Sequence, residues 1–127
     1  MEINNSITLI DDDSSILDLI EIYLDDFETF KINNLGDLEN HLKTTHDLHL
    51  FISDIELGGE DSKKAYSKIK SYNPLSVIIG ISGHSSFEKK KSVLEAGYDD
   101  YFIKPIKFDI LKNVLNFHIE KYRRWIA

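Results

Sequence analysis

Residues 76–105 read SVIIGISGHSSFEKKKSVLEAGYDDYFIKP, and the order of residue types along this stretch decides the class of fold. Ser76 to Ile81 is a short apolar run with little polar alternation, the pattern of a strand covered on both faces. Ser85 to Ala96 follows as a helix, and Gly97 stands where a helix often needs a left-handed C-terminal cap. Asp100 to Ile103 reads as the next strand, closed by Lys104-Pro105. A strand, a helix and a second strand in succession predict a parallel pair joined by a crossover.

The same alternation extends towards the N-terminus. Ser6 to Ile10, Thr29 to Asn33 and Leu50 to Ser53 are three further predicted strands. Ile16, Leu17, Ile20, Tyr23, Leu24 and Phe27 recur at helical spacing behind Asp13 and Ser14, both good capping residues. Gly36 to Lys43 is a shorter helical stretch, and Asp61 to Tyr72 reads as a helix ended by Asn73-Pro74. The last helix runs from Phe108 to about Ile126, with Ile110, Leu111, Val114, Leu115 and Phe117 or His118 as its expected buried face. Strand and helix alternate through five cycles, so the expected fold is α/β, a parallel sheet with helices on both faces. No stretch reads as a linker or repeat, and residues 1–127 are expected to form one domain.

Composition narrows the functional classes. The 127 residues are 42% hydrophobic and 29% charged, as in an ordinary globular protein. The formal charge of -7, from 15 basic and 22 acidic side chains, disfavours direct nucleic-acid binding. Lys121, Arg123 and Arg124 gather at the C-terminal end of a helix, where the backbone dipole favours cations. The absence of cysteine excludes disulfides, thiolate metal sites and cysteine nucleophiles. Apolar runs are too short to cross a bilayer and no secretion signal is evident, so no membrane partner and a cytoplasmic location are expected.

Parallel α/β sheets bind ligands beyond the carboxyl ends of their strands. Those positions hold Asp11, Asp12 and Asp13 after the first strand, and Asp54 after the third. Ser82, followed by the small Gly83, comes after the fourth, and Lys104 after the fifth. Converging carboxylates repel one another unless a hard divalent cation sits among them, and an all-oxygen set selects magnesium, calcium or manganese. Such an ion beside an exposed carboxylate, with a lysine and a hydroxyl to hold other oxygens, suits phosphoryl transfer. An aspartate can serve as the nucleophile, giving an acyl phosphate. Each motif alone is explained by local structure: a cap, a turn, a loop. Their coincidence at four strand ends argues for a site. His46 and His49 are read as polar loop residues without a metal.

With these residues in view, the chain resembles a response-regulator receiver domain over essentially its whole length. Residues 7–13 (ITLIDDD) resemble the hydrophobic strand ending in an acidic pair, and 50–57 (LFISDIEL) the phospho-acceptor strand. Residues 79–84 (IGISGH) resemble the strand with the switch hydroxyl, and 94–105 (LEAGYDDYFIKP) the closing signature. The resemblance implies a flavodoxin-like, doubly wound five-stranded sheet of order 2-1-3-4-5. It implies that Asp54 accepts a phosphoryl group from a sensor histidine kinase or a histidine phosphotransfer protein. Magnesium, or manganese, would be held by Asp12 and Asp54, by Asp11 mainly through water, and by the backbone carbonyl of Glu56. Lys104 would pair with a phosphoryl oxygen, behind a cis bond to Pro105. Ser82 and Tyr101 would be the switch pair, Tyr101 swinging inward as Ser82 moves to the phosphoryl group.

The implied output is phosphorylation-dependent binding at the surface of the fourth helix, fifth strand and fifth helix, to a downstream protein target or to a second copy as a homodimer. On that face Lys89, Lys90 and Lys91 form a basic run, and Tyr122, Trp125 and Ile126 offer apolar contacts near the end of the last helix. Gly58, Ser62 and Tyr98 depart from the family pattern, and Glu56 and His84 flank the site where phosphate lifetime is tuned. No enzymatic turnover is expected beyond self-phosphorylation and self-dephosphorylation. Two other readings remain: a pseudo-receiver that binds partners without phosphorylation, and a magnesium-dependent aspartyl-phosphate phosphatase. The first usually lacks a key site residue, and this chain keeps them all. The second generally has an aspartate two residues beyond its nucleophile, where this chain has Glu56.

Overall fold

The structure is a computed structural model and describes residues 6–44, 49–55, 62–83 and 87–126. Its strands are β1 (Ser6–Ile10), β2 (Glu28–Ile32), β3 (Leu50–Asp54), β4 (Val77–Ser82) and β5 (Asp100–Ile103). The helices are α1 (Ser14–Tyr23), α2 (Leu35–Leu42), α3 (Ser62–Tyr72), α4 (Phe87–Glu95) and α5 (Phe108–Ile126). All four strand pairs are parallel, and the sheet order is β2-β1-β3-β4-β5. Every expected element forms, with ends displaced by at most two residues except at the end of α1. The strands gain Asp54 and Ser82 at their carboxyl ends because each finds a parallel partner, Ile81 for Asp54 and Ile103 for Ser82.

Two apolar layers sandwich the sheet. On one face Ile7, Leu9, Leu50, Ile52, Val77, Ile79 and Ile81 meet Leu17, Ile20 and Leu24 from the α1 side and Leu111, Leu115 and Ile119 of α5. On the other, Ile10, Phe51 and Ile78 meet Leu38 and Leu42 of α2, Ala65 and Ile69 of α3, and Val93 of α4. Alternate residues of one strand supply opposite layers, which is why the strands read as continuous apolar runs.

Three expectations are corrected. Helix α1 stops at Tyr23 although the apolar spacing continues to Phe27. Leu24 closes it by donating its N–H to the Ile20 carbonyl, and Asp25 and Asp26 follow where the helix dipole disfavours negative charge. On α5, Ile110 is exposed, and of the pair left open His118 is buried while Phe117 is 64% exposed. His49 is buried rather than a loop side chain, because it turns in against Thr8 and Phe51. His46 lies outside the described residues.

Gly97 is the one described residue with positive φ, at 110°. It caps the end of α4 as expected, its N–H donating to the Leu94 carbonyl. A Cβ there would also collide with the Tyr66 hydroxyl of α3. At Gly80 the constraint is packing: an added Cβ would lie 3.0 Å from Ile55 Cγ2 and 3.2 Å from the Tyr98 ring. The bulky Tyr98 is thus accommodated by the missing side chain opposite it on β4.

Candidate functional site

The sheet reverses its order between β1 and β3, and the carboxyl ends of those two strands define the crevice. Asp11 follows β1 directly and donates its N–H to the Ile32 carbonyl, so the β1–β2 ladder fixes its position. Its Oδ1 accepts the Asp13 N–H at 2.9 Å. Asp13 turns away from the crevice to cap α1, accepting from the Ser15 N–H at 3.0 Å and the Ser15 hydroxyl at 2.6 Å. These hydrogen bonds hold the Asp13 carboxyl below the usual carboxylate range. The triple aspartate therefore divides into two site residues and one cap.

Asp54 ends β3 and is buried, while Asp12 is exposed. Asp11, Asp12 and Asp54 each present a carboxylate oxygen within 4.8 Å of the others. Lys104, just past β5, places its Nζ 3.3 Å from Asp11 Oδ2 and 3.8 Å from Asp54 Oδ2. Its backbone N–H donates to the Ser82 carbonyl at 2.8 Å, and its bond to Pro105 is cis. Ser82 ends β4 and is fully buried. Tyr101 is buried beside Val93 and Tyr98 in the α2–α3–α4 layer. The structure thus brings Asp11, Asp12, Asp54 and Lys104 into one cluster, with Ser82 bonded to the Lys104 backbone and Tyr101 behind. Glu56 and His84 lie outside the described residues.

The electrostatics are strained at one residue. Burial, followed by the Asp54 charge, raises the Asp11 carboxyl to about 6, against the lowering effects of the Asp13 N–H and of Lys104. One ammonium among three carboxylates leaves the cluster short of positive charge. An oxygen-only donor set with a surplus of negative charge fits a hard divalent cation such as magnesium. A sequence reading recovers every one of these residues except the Lys104–Asp11 ion pair, which joins positions 93 apart in the chain. Among the described residues it missed a second polar cluster altogether. Thr8, His41 and His49 meet in the core, and only the unusual polarity of Thr8 within an apolar strand hinted at it.

Comparison with known proteins places this geometry. The family model described as the response regulator receiver domain matches residues 7–116. The sensor histidine kinase RcsC of Escherichia coli K12 is 26% identical over 92 residues, covering 72% of this chain and 10% of the kinase. The chain therefore spans about a tenth of the length of that relative. Among solved structures, a response regulator receiver domain protein from Methanospirillum hungatei superposes with a TM-score of 0.83 at 22% identity, covering 96% of this chain and 98% of the other. A response regulator from Burkholderia pseudomallei, solved with a phosphorylated aspartic acid, a calcium ion and citrate, gives 0.78 at 15% identity, covering 98% and 74%.

Proposed function

The chain belongs to the response regulator receiver family of two-component signalling, and on that premise we propose that Asp54 takes a phosphoryl group from a sensor histidine kinase or a histidine phosphotransfer protein. The observation that carries this reading is the meeting of Asp11, Asp12 and Asp54 with the Lys104 ammonium at the carboxyl edge of the sheet. An ionised Asp54 oxygen attacks phosphorus, a new P–O bond forms, and the donor's bond to phosphorus breaks with its electron pair staying on the donor. Lys104 turns from the carboxylates to a phosphoryl oxygen, as a point charge on a flexible stem. The Ser82 hydroxyl donates to another. Asp12, Asp54, the Glu56 carbonyl and, through water, Asp11 would hold magnesium or manganese. When bound, that ion neutralises charge on the transferring oxygens. The related Burkholderia protein, with its phosphorylated aspartic acid and calcium ion, supports both parts of this assignment.

Ser82 and Tyr101 carry the change outward to α4, β5 and α5. Exposed apolar side chains support that surface: Leu94 on α4, Ile103 on β5, and Ile110 and Phe117 on α5. Ile110 and Phe117 lie on the flank of α5 opposite Phe108 and Lys112, which contact Tyr23 and Asp25. A downstream protein or a second copy of the chain binds there. The module turns over no separate substrate and works in the cytoplasm.

Intact-protein mass after incubation with magnesium and acetyl phosphate tests the assignment. One phosphoryl adduct is expected, dependent on magnesium and absent from Asp54→Ala. No adduct on a folded, magnesium-saturated protein overturns it in favour of the pseudo-receiver reading. Sustained release of phosphate from added phosphomonoesters would instead make the protein a phosphatase.

A further inference from the structure

Away from the acidic crevice, three polar side chains converge inside the α2–α3–α4 layer. Thr8 of β1 places its Oγ1 2.7 Å from the Nε2 of His41 on α2 and 2.7 Å from the Nε2 of His49, just before β3. The two rings are 6.1 Å apart between centroids, and Phe30 of β2 and Phe51 of β3 pack against them. Thr8 and His49 are buried, and His41 is half-buried.

A hydroxyl has one proton, so a single threonine can donate to one ring and accept from the other only if the rings present opposite faces, one a bare nitrogen and one an N–H. Two neutral imidazoles of opposite tautomer satisfy all three groups. A first added proton leaves both hydrogen bonds in place if it lands on the far nitrogen of the ring that already donates. A second proton turns both Nε2 atoms into donors, strands the threonine proton against apolar walls and places two cations side by side in the core.

We propose that His41, Thr8 and His49 form a proton-sensitive latch that fastens α2 to β1 and the start of β3 while both rings are neutral, and frees α2 when both are charged. Among the described residues, the charges around the pair are engaged elsewhere or exposed. The first core layer's charges lie across the sheet, where Lys31 of β2 is held by Asp18 and Glu21 of α1. Glu28 is exposed near the start of β2. Lys68 of α3 is paired with Glu39 of α2 at 3.2 Å. Asp37, in the first turn of α2, is engaged with Asn34. From β1 the uncharged Thr8 and from β3 the uncharged Phe51 meet the rings. Burial lowers both imidazoles, and among the described residues the one charge that bears on His49 is that of His41. The latch sits towards the opposite end of β1 and β3 from Asp11 and Asp54, so it acts on the fold independently of phosphoryl chemistry.

Amide hydrogen exchange of the full chain, corrected for the intrinsic pH dependence of exchange, tests the latch, with β4 as the internal reference. Between about pH 7.5 and about pH 5, opening of α2 is expected to rise roughly 30-fold, the linkage of one strongly lowered histidine, and to stay easier at every pH than opening of β4, which follows global unfolding. In His49→Gln, which keeps a hydrogen-bonding side chain without titrating, most of that rise should be lost, leaving the smaller part due to His41. Opening of α2 only together with β4, at the same free energy, or an undiminished rise in the variant, overturns the proposal. A second measurement needs no variant: ring NMR of the unmodified protein should show His49 still neutral at about pH 5.5, and titration near the ordinary value of about 6.5 would sink the idea.

Discussion

Asp11 is where the cluster at the strand ends stores its tension. Its carboxyl is raised to about 6 because burial and Asp54 outweigh Asp13 and Lys104. A carboxyl raised in the folded state contributes stability that is present below its unfolded value of 3.8 and is lost as pH rises through about 6. The shift corresponds to roughly 3 kcal/mol at neutral pH in the metal-free protein. A divalent cation reverses that loss by favouring the charged form. Magnesium is therefore expected to raise the melting temperature by several degrees at about pH 7.5 and by little at about pH 5, which differential scanning calorimetry would show. A melting curve indifferent to magnesium at neutral pH would contradict the assigned ion site. At Gly97 the prediction is steric: Gly97→Ala should cost about 1–3 kcal/mol in urea unfolding, because its φ of 110° is strained for any Cβ. Adding Tyr66→Phe should recover only the part due to the hydroxyl collision, leaving the backbone cost in place.

Helix ends set the element scale. Asn34 caps α2 by accepting the Asp37 N–H at 2.8 Å, while its amide donates to the Asp37 carboxylate at 2.8 Å. The arrangement satisfies an orphan amide and puts an acidic group at the positive end of the helix. Asn34→Ala should lower stability by about 1 kcal/mol, read as a reduced urea midpoint with an unchanged slope. Because α2 is only eight residues long, it depends on such a cap and on Leu38 and Leu42 more than on its own propensity. The same dependence explains why a latch at His41 can govern it.

For the molecule as a whole, acid acts through opposed groups. His41, His49 and His118 are all lowered by burial, His49 to about 4, so each contributes stability that is present at neutral pH and is lost as pH falls from the ordinary imidazole value towards the folded one. Asp11 has the opposite sign over much of the same range. Three histidines outweigh one carboxyl, so metal-free stability should fall between about pH 7 and about pH 5, by up to about 1.4 kcal/mol per pH unit for each net proton taken up on unfolding. With magnesium bound the fall should steepen, since protonating Asp11 then competes with the ion. Urea unfolding across that range, with magnesium or with a chelator, reads both slopes. A flat profile with magnesium bound, where Asp11 no longer offsets the histidines, would mean that the histidines are solvated.

The alternation of apolar runs and amphipathic stretches was enough to determine a parallel α/β sheet, because strands covered on both faces must be apolar throughout. It also placed Asp11, Asp12, Asp54, Ser82 and Lys104 at strand ends, since those positions depend only on where each run stops. Element ends were less legible: whether Asp54 belongs to β3 depends on a partner residue in β4 that local propensity does not contain. Tertiary structure alone decided that Lys104 reaches Asp11 and that His118 rather than Phe117 turns inward, while the cap at Asp13 was legible in the sequence. It also decided that His49 is a core residue. A histidine's periodicity is ambiguous, because the ring is apolar in body and polar at its tip. Only the arrival of Thr8 from one strand and His41 from a helix supplies the hydrogen bonds that make its burial tolerable.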